Sequence, residues 1–288
     1  MKDYALIATA YNHTVRIYIG TSKNLVEKAR KIHDTWPTAS AAFGRFLTVS
    51  SLFGLMYKEN ERLTLQINGD GPIGKMLVET NGNGEVRGDI SNPHVYIRAE
   101  QDGKLDVGAA VGNGLLHVTK DLHLKANYTS SSELVSGEIA EDFASYFVIS
   151  EQTPSAVSLG VLVNNDSTIR YSGGFIVQLL PGASDDVIIK LENAINDAGP
   201  ISRWLDEGKT IEEMLSKISN NTEVILDKHE LKYKCHCSKD GFASSLAALD
   251  NESMEDLIAD GGIEVVCHFC KTKYYFSKED LETIKAHQ

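Results

Sequence analysis

The sequence predicts an α+β fold in three parts. These are an N-terminal α+β core of mainly antiparallel sheet with packed helices over residues 1–180, a helical linker over 181–231, and a small cysteine-bearing domain over 232–288. Three observations predict it. From Arg62 to Val118 apolar and polar residues alternate between glycine-rich turns, which is the period of antiparallel strands. The stretch from Thr38 to Tyr57 is apolar on nearly every side, as a buried central helix must be, and Ile139, Phe143 and Phe147 repeat at the spacing of another helix face. The only four cysteines of the 288 residues stand near the C-terminus as two tight pairs, Cys235-His236-Cys237 and Cys267-His268-Phe269-Cys270.

Asp3 to Ala10 and Thr14 to Ile19 read as a strand pair turning at Asn12-His13. Ser22 is placed to cap a helix carrying Leu25, Val26, Ala29 and Ile32, and Trp36-Pro37 breaks it. In the buried helix that follows, Arg45 is expected to be paired or to reach solvent rather than to act in catalysis. Leu63, Leu65 and Ile67 alternate, Gly69 to Gly74 turns, Met76 to Glu79 returns, and Asn81-Gly82-Asn83-Gly84 marks a hairpin. Gly69 to Gly74 lacks the Gly-Lys-Ser/Thr ending of a phosphate loop and reads as tight turns. Ser136-Gly137-Glu138 opens the helix of Phe143 and Phe147, with Glu138 and Asp142 assigned to its solvated face. Ala156 to Val163 and Ile169 to Leu180 are the closing strands.

After Pro181-Gly182 the pattern turns helical. Ser184 is placed to cap a helix with Val187, Ile188, Leu191, Ala194 and Ile195 on one side, stopped by Gly199-Pro200. Thr210-Ile211-Glu212-Glu213 is a capping box before Met214, Leu215 and Ile218. Amphipathic helices this short need a surface to dock on. In the last domain Asn251 is placed to cap a helix with Met254, Leu257 and Ile258; Ile263 to Val266 and Tyr274 to Phe276 are strands, and Ser277 caps a final helix.

Two short cysteine loops can each bite a metal ion from one side, and together they complete the closed tetrahedral shell of a structural zinc site. Cys235, Cys237, Cys267 and Cys270 are therefore the candidate ligands for one zinc ion per chain. His236 and His268 are the weighed substitutes, but four thiolates already fill the shell. Members of each pair are also near enough in sequence for disulfide reach, so such a site can hold metal when reduced and collapse to local disulfides when oxidised. A core as thin as that of the last domain depends on its metal.

Lys and Arg number 28 against 40 Asp and Glu, a net charge of −12, which argues against a nucleic-acid partner. The competing reading is a zinc-ribbon nucleic-acid-binding protein. Its basic residues Lys232, Lys234, Lys239, Lys271 and Lys273 are offset by Asp240, Asp250, Glu252, Glu255 and Asp256. No nucleophile, base and orienter stand out together, so no enzyme is expected. The N-terminus reads as a strand rather than a signal peptide, and no window approaches the ~20 apolar residues of a spanning helix, so no membrane is expected. The expected location is the cytoplasm, where thiols stay reduced.

Nearly the whole chain resembles the 33 kDa chaperonin family of redox-regulated heat-shock chaperones. The resemblance rests on Gly71-Pro72-Ile73-Gly74, Val86-Arg87-Gly88-Asp89 with Asn92-Pro93, and Ser136-Gly137-Glu138-Ile139-Ala140-Glu141-Asp142. Further motifs are Ser150-Glu151-Gln152-Thr153-Pro154-Ser155-Ala156-Val157 with Leu159-Gly160-Val161, and Gly173-Gly174-Phe175 with Gln178-Leu179-Leu180-Pro181-Gly182-Ala183; the cysteine pattern completes the set. It implies an ATP-independent holdase of the bacterial cytoplasm, zinc-bound and idle when reduced. Under oxidative stress Cys235 would join Cys237 and Cys267 would join Cys270, with release of zinc and unfolding of the C-terminal domain and linker. The family also implies a homodimer when oxidised, binding of unfolding client proteins, and transfer to ATP-dependent refolding chaperones. At Gly241 many members carry an arginine instead, a difference that bears on oxidant sensitivity rather than on the metal site. The expected order of events is loss of ligands, loss of the small domain's stabiliser, undocking of the helices around Ile188, Leu191, Met214 and Ile218, and exposure of apolar surface.

Overall fold

The computed structural model describes residues 2–100 and 104–286, and the chain divides into two compact units, Met1–Tyr233 and Lys234–Gln288. The first unit runs β1 (Tyr4–Ala10), β2 (Val15–Thr21), α1 (Lys23–His33), α2 (Pro37–Gly54), β3 (Arg62–Gly69), β4 (Lys75–Asn81), β5 (Glu85–Ile90), α3 (Val107–Val111), β6 (Gly114–Asp121) and β7 (Tyr128–Glu133). It continues with α4 (Ala140–Ile149), β8 (Ser155–Val163), β9 (Ile169–Leu179), α5 (Asp185–Ala198), α6 (Ile201–Asp206), α7 (Ile211–Ile218), β10 (Val224–Glu230) and β11 (Lys232–Tyr233). The second holds α8 (Lys239–Leu246), α9 (Asn251–Ala259), β12 (Gly262–Val266), β13 (Lys273–Ser277) and α10 (Lys278–Ala286). The expected mix of helices and mainly antiparallel sheet is what the chain forms.

Two sheets organise the first unit. One has the order β10-β1-β2-β9-β8 and is antiparallel throughout; the other has the order β11-β5-β4-β3-β6-β7 and is antiparallel except where β11 lies parallel to β5. Helix α2 packs against strands of both sheets, and every one of its residues except Pro37 and Arg45 is buried. Small residues allow this close approach: a Cβ on Gly44 would lie 2.7 Å from Val26 and 3.0 Å from Val161. Arg45 is paired as expected, its guanidinium meeting the Glu138 carboxylate and, at 3.2 Å, the Glu138 carbonyl.

Strand alternation sorts the five-stranded sheet into two apolar faces. Ala5, Tyr18 and Ile176 join the core around α1 and α2, while Leu6, Ile17, Ile19, Phe175 and Val177 point to the opposite face. That second face is covered by the linker helices through Leu191, Ile201, Leu205, Ile211, Met214, Leu215 and Ile218. The docking surface that these helices required is therefore this sheet. Of the four linker residues singled out, Leu191, Met214 and Ile218 are buried in that layer, whereas Ile188 is half-buried and its neighbour Val187 packs there instead. The capping box is present, with Glu213 N–H donating to Thr210 Oγ1 at 3.2 Å and Thr210 N–H to Glu213 Oε2 at 2.7 Å. The linker also contains a strand, β10, paired with β1.

Four local assignments differ. Ser184 stands at the N-cap of α5 but its side chain makes no capping bond; Asp185 and Asp186 supply negative charge to the first turn. Ser22 makes no capping bond, because its hydroxyl is engaged by Thr48 and Ser172 at 2.7 Å each. The buried Asp3 carboxylate caps α1 instead, accepting the Leu25 N–H at 2.7 Å, although burial raises its pKa. Asp142 is not on a solvated face but fully buried. The chain curls around its carboxylate, which accepts N–H groups from Val135 (2.7 Å), Ser136 (3.0 Å), Gly137 (3.2 Å) and Ile139 (2.7 Å) at the positive end of α4. At α9 the cap is Asp250, one residue before Asn251, accepting the Ser253 N–H at 2.8 Å.

Tyr233 closes the first unit. Its hydroxyl donates to the Gly88 carbonyl at 2.9 Å and lies 3.3 Å from the Gly88 N–H and 3.2 Å from His33 Nε2, while its carbonyl accepts from Lys28 Nζ at 3.0 Å. In the second unit β12 and β13 form a hairpin, and Leu246, Met254, Phe276 and Leu281 make up its buried core. Among the described residues no helix is long and apolar enough to cross a membrane.

Candidate metal centre

The two cysteine pairs arrive from different kinds of backbone. Cys235 and Cys237 lie on the extended segment that precedes α8, whose N-terminus is capped by Ser238 accepting the Gly241 N–H at 3.1 Å. Cys267 follows the last residue of β12, and Cys270 sits in the turn that leads to β13. That turn is a tight knuckle: the Lys271 N–H donates to the Cys267 carbonyl at 2.8 Å, the Cys267 N–H donates to the Thr272 carbonyl at 2.9 Å, and Lys271 takes a left-handed φ of 57°. The short spacing of Cys267 and Cys270 is thus converted into two sulfurs facing one point.

The structure brings all four sequence-derived candidates together. Their sulfurs lie within 4.8 Å of one another, with Cys235 and Cys267 at 3.7 Å and Cys237 and Cys270 at 3.3 Å. All four are free cysteines. Four thiolates about a tetrahedral zinc ion at Zn–S distances of about 2.3 Å have sulfurs about 3.8 Å apart, so the observed separations fit that donor set. His236 and His268 are exposed and do not belong to the group of four, as the filled sulfur shell anticipates.

Electrostatics also call for a cation. Burial pushes the Cys237 thiol up to about 12 and raises that of Cys267. Burial acts on Cys270 in the same sense, but hydrogen bonds from the Thr272 hydroxyl and backbone and from neighbouring sulfurs outweigh it and bring it to about 6. Left to itself, the cluster holds a ready thiolate at Cys270 beside the reluctant thiols of Cys237 and Cys267. A bound dication ionises coordinating thiols outright. The four cysteines can hold a metal ion, and the all-sulfur, closed set is compatible with zinc.

Two side chains that the sequence reading did not assign to the site touch the sulfurs. Thr272 Oγ1 lies 3.2 Å from Cys270 Sγ, and the Tyr274 hydroxyl lies 3.3 Å from Cys237 Sγ. Tyr274 was legible only as a strand residue; its reach to Cys237 depends on the hairpin register that pairs it with Val265.

Comparison with known proteins agrees with the motifs. The family model described as Hsp33 protein matches residues 3–277. The 33 kDa chaperonin of Acholeplasma laidlawii is 53% identical, with 98% of each chain covered, and that of Bacillus subtilis is 45% identical, with 98% of each covered. The crystal structure of the 33 kDa chaperonin of Thermotoga maritima superposes with a TM-score of 0.91 at 37% identity, covering 98% of this chain and 97% of that one.

Proposed function

The chain belongs to the Hsp33 family, and on that premise we propose that it is an ATP-independent holdase switched on by oxidation of Cys235, Cys237, Cys267 and Cys270. The family's members are named chaperonins, so the chain is a chaperone and not an enzyme. The observation that carries the switch is the convergence of the four free sulfurs within 4.8 Å in a chain with no other cysteine.

In the reduced state these four cysteines hold one zinc ion. When bound, the ion supplies a cross-link between the segment before α8 and the hairpin. The four sulfurs are at once the site's ligands and its reactive groups, since thiolate is the form that oxidants attack. Oxidation joins Cys235 to Cys237 and Cys267 to Cys270 and removes all four ligands together. The second unit, with its four-residue core of Leu246, Met254, Phe276 and Leu281, then loses its main stabiliser.

Capture of clients needs apolar surface, and the largest covered supply beside the linker is the sheet face of Leu6, Ile17, Ile19, Phe175 and Val177 under α5, α6 and α7. Because those helices dock on the sheet of their own unit, their release requires loss of that packing, which heat promotes, while oxidant acts on residues 234–288. Kinship with the family supports a cytoplasmic location, a homodimer in the oxidised state, unfolding client proteins as partners and ATP-dependent chaperones downstream. The domain roles follow: 1–180 for clients and dimerisation, 181–231 as the covering linker, and 232–288 as the zinc-binding switch.

Native mass spectrometry before and after mild peroxide tests this by following zinc count, disulfide mass change and dimer fraction in one run, beside suppression of aggregation of a heated test protein. The reading expects one zinc to leave as two disulfides form and holdase activity to appear. Activity that appears with zinc and thiols intact would overturn it.

A further inference from the structure

Tyr274 ties the two cysteine-bearing segments together without any metal. It stands in β13, opposite Val265 of β12, just beyond the second pair, yet its hydroxyl meets the first pair: 3.3 Å from Cys237 Sγ and 3.2 Å from the Cys237 carbonyl. Its ring is seated on Phe242 of α8, with centroids 5.2 Å apart at 46°. The side chain is half-buried, so its hydrogen bond is only partly screened by water.

A phenol has one proton to give, and two acceptors compete for it here. When the sulfurs are ionised, the anionic acceptor makes the stronger bond. That bond draws electron density from the Cys237 sulfur and offsets part of the excess negative charge of four thiolates around one dication. Both effects oppose attack by an oxidant, and hydrogen bonds of this kind tune metal sites through their ligands.

We infer that Tyr274 is a positioning residue for the switch: its hydroxyl donates to the Cys237 sulfur and thereby sets the oxidant dose at which the metal is released. The inference rests on the reading of the cluster as a zinc–thiolate switch. The oxidation it restrains is balanced as follows. A thiolate attacks one oxygen of hydrogen peroxide, the O–O bond breaks and hydroxide leaves, giving a sulfenic acid. The second thiolate of the pair attacks that sulfur, the S–O bond breaks, a second hydroxide leaves and the disulfide closes. Two electrons from two sulfurs have then reduced one peroxide, and two protons from solvent complete two waters.

The test uses the full chain, reduced and zinc-loaded, and the Tyr274→Phe variant, which keeps the ring on Phe242 and removes only the hydroxyl. Zinc release under a fixed excess of hydrogen peroxide is followed with a chromogenic chelator, and the sulfur-to-metal charge-transfer band is recorded after loading with cobalt(II). Loss of one charge-assisted hydrogen bond at a half-buried site is expected to speed release by about three- to tenfold and to move the cobalt band. Unchanged release and an unchanged band would show that the hydroxyl serves only the carbonyl, and would overturn the inference. Should Tyr274→Phe fail to retain metal, 3-fluorotyrosine at position 274, a stronger donor of nearly the same shape, decides: slower release supports the inference and an unchanged rate overturns it. If the unaltered chain binds neither zinc nor cobalt, the zinc–thiolate reading and this inference fall together, whereas normal binding with an indifferent Tyr274 strikes the inference alone.

Discussion

Stripping the metal from the reduced protein with a strong chelator should melt residues 234–288 and leave the first unit folded. The magnitude follows from the size of the second core. Leu246, Met254, Phe276 and Leu281 are its buried apolar side chains, and burying each contributes about 1.5–3 kcal/mol, so the set contributes about 6–12 kcal/mol. A structural zinc ion contributes about 10–16 kcal/mol in small sites, as much as that whole core. Its loss also leaves partly buried thiols crowded at 3.3 and 3.7 Å with no cation between them. Helices α8, α9 and α10 carry about a quarter of the α-helical residues among those described. Far-UV circular dichroism should therefore lose about a quarter of its helical signal, while limited proteolysis with mass readout should trim the chain back towards Tyr233. Linker helices docked on Ile17, Ile19 and Phe175 should stay uncut at 25 °C. Persistence of a protease-resistant 234–288 segment after complete zinc removal would refute the reasoning about its stability. A loss of half the helical signal would refute the assignment of the linker to the first unit's core.

Other perturbations probe the first unit. Met214→Ala, at a fully buried position against the five-stranded sheet, should cost about 2–5 kcal/mol of linker docking; thermal unfolding should begin at lower temperature and aggregation assays should show holdase activity at lower oxidant dose. Asp142→Asn replaces one accepting oxygen by a donor facing backbone N–H groups, and chemical denaturation should report a loss of about 1–3 kcal/mol. Glu27, hydrogen-bonded by Arg30 and accepting the Ile169 N–H, has its carboxyl held below the ordinary 4.5. Its ionised form therefore favours the folded state above about pH 4.5, and that contribution is lost as pH falls through the lower folded value. Melting temperature measured from pH 6 to pH 3 should fall less steeply for Glu27→Gln, by an amount worth a few tenths to about 1 kcal/mol.

Much of the fold was legible because period and punctuation act locally. Helix α2 announced itself by being apolar all round, the capping box at Thr210 by its spacing, and the β4–β5 hairpin by Asn81-Gly82-Asn83-Gly84. Strands β7 and β10 were missed for opposite reasons. The Tyr128-Thr129-Ser130-Ser131-Ser132-Glu133 run lacks apolar alternation because β7 is an edge strand whose side chains mostly face solvent. Val224-Ile225-Leu226 did carry a strand signal, but it lay in a segment whose neighbours were helical. The capping roles of Asp3 and Asp142 could not be read, since each acts on N–H groups positioned by the chain's path around a buried carboxylate. The sulfur cluster was legible from spacing alone, whereas Tyr274 and Thr272 entered it only once the β12–β13 register was known.

The pinning of Tyr233 by Gly88, His33 and Lys28 anchors the last residue of the first unit within that unit. Unzipping that starts at the tail meets a residue held in the six-stranded sheet before it reaches, along the chain, the strap of helices over the five-stranded sheet. On the proposed function, oxidant acts on the tail, while release of the strap also has to overcome its own packing on Leu6, Ile17, Ile19, Phe175 and Val177.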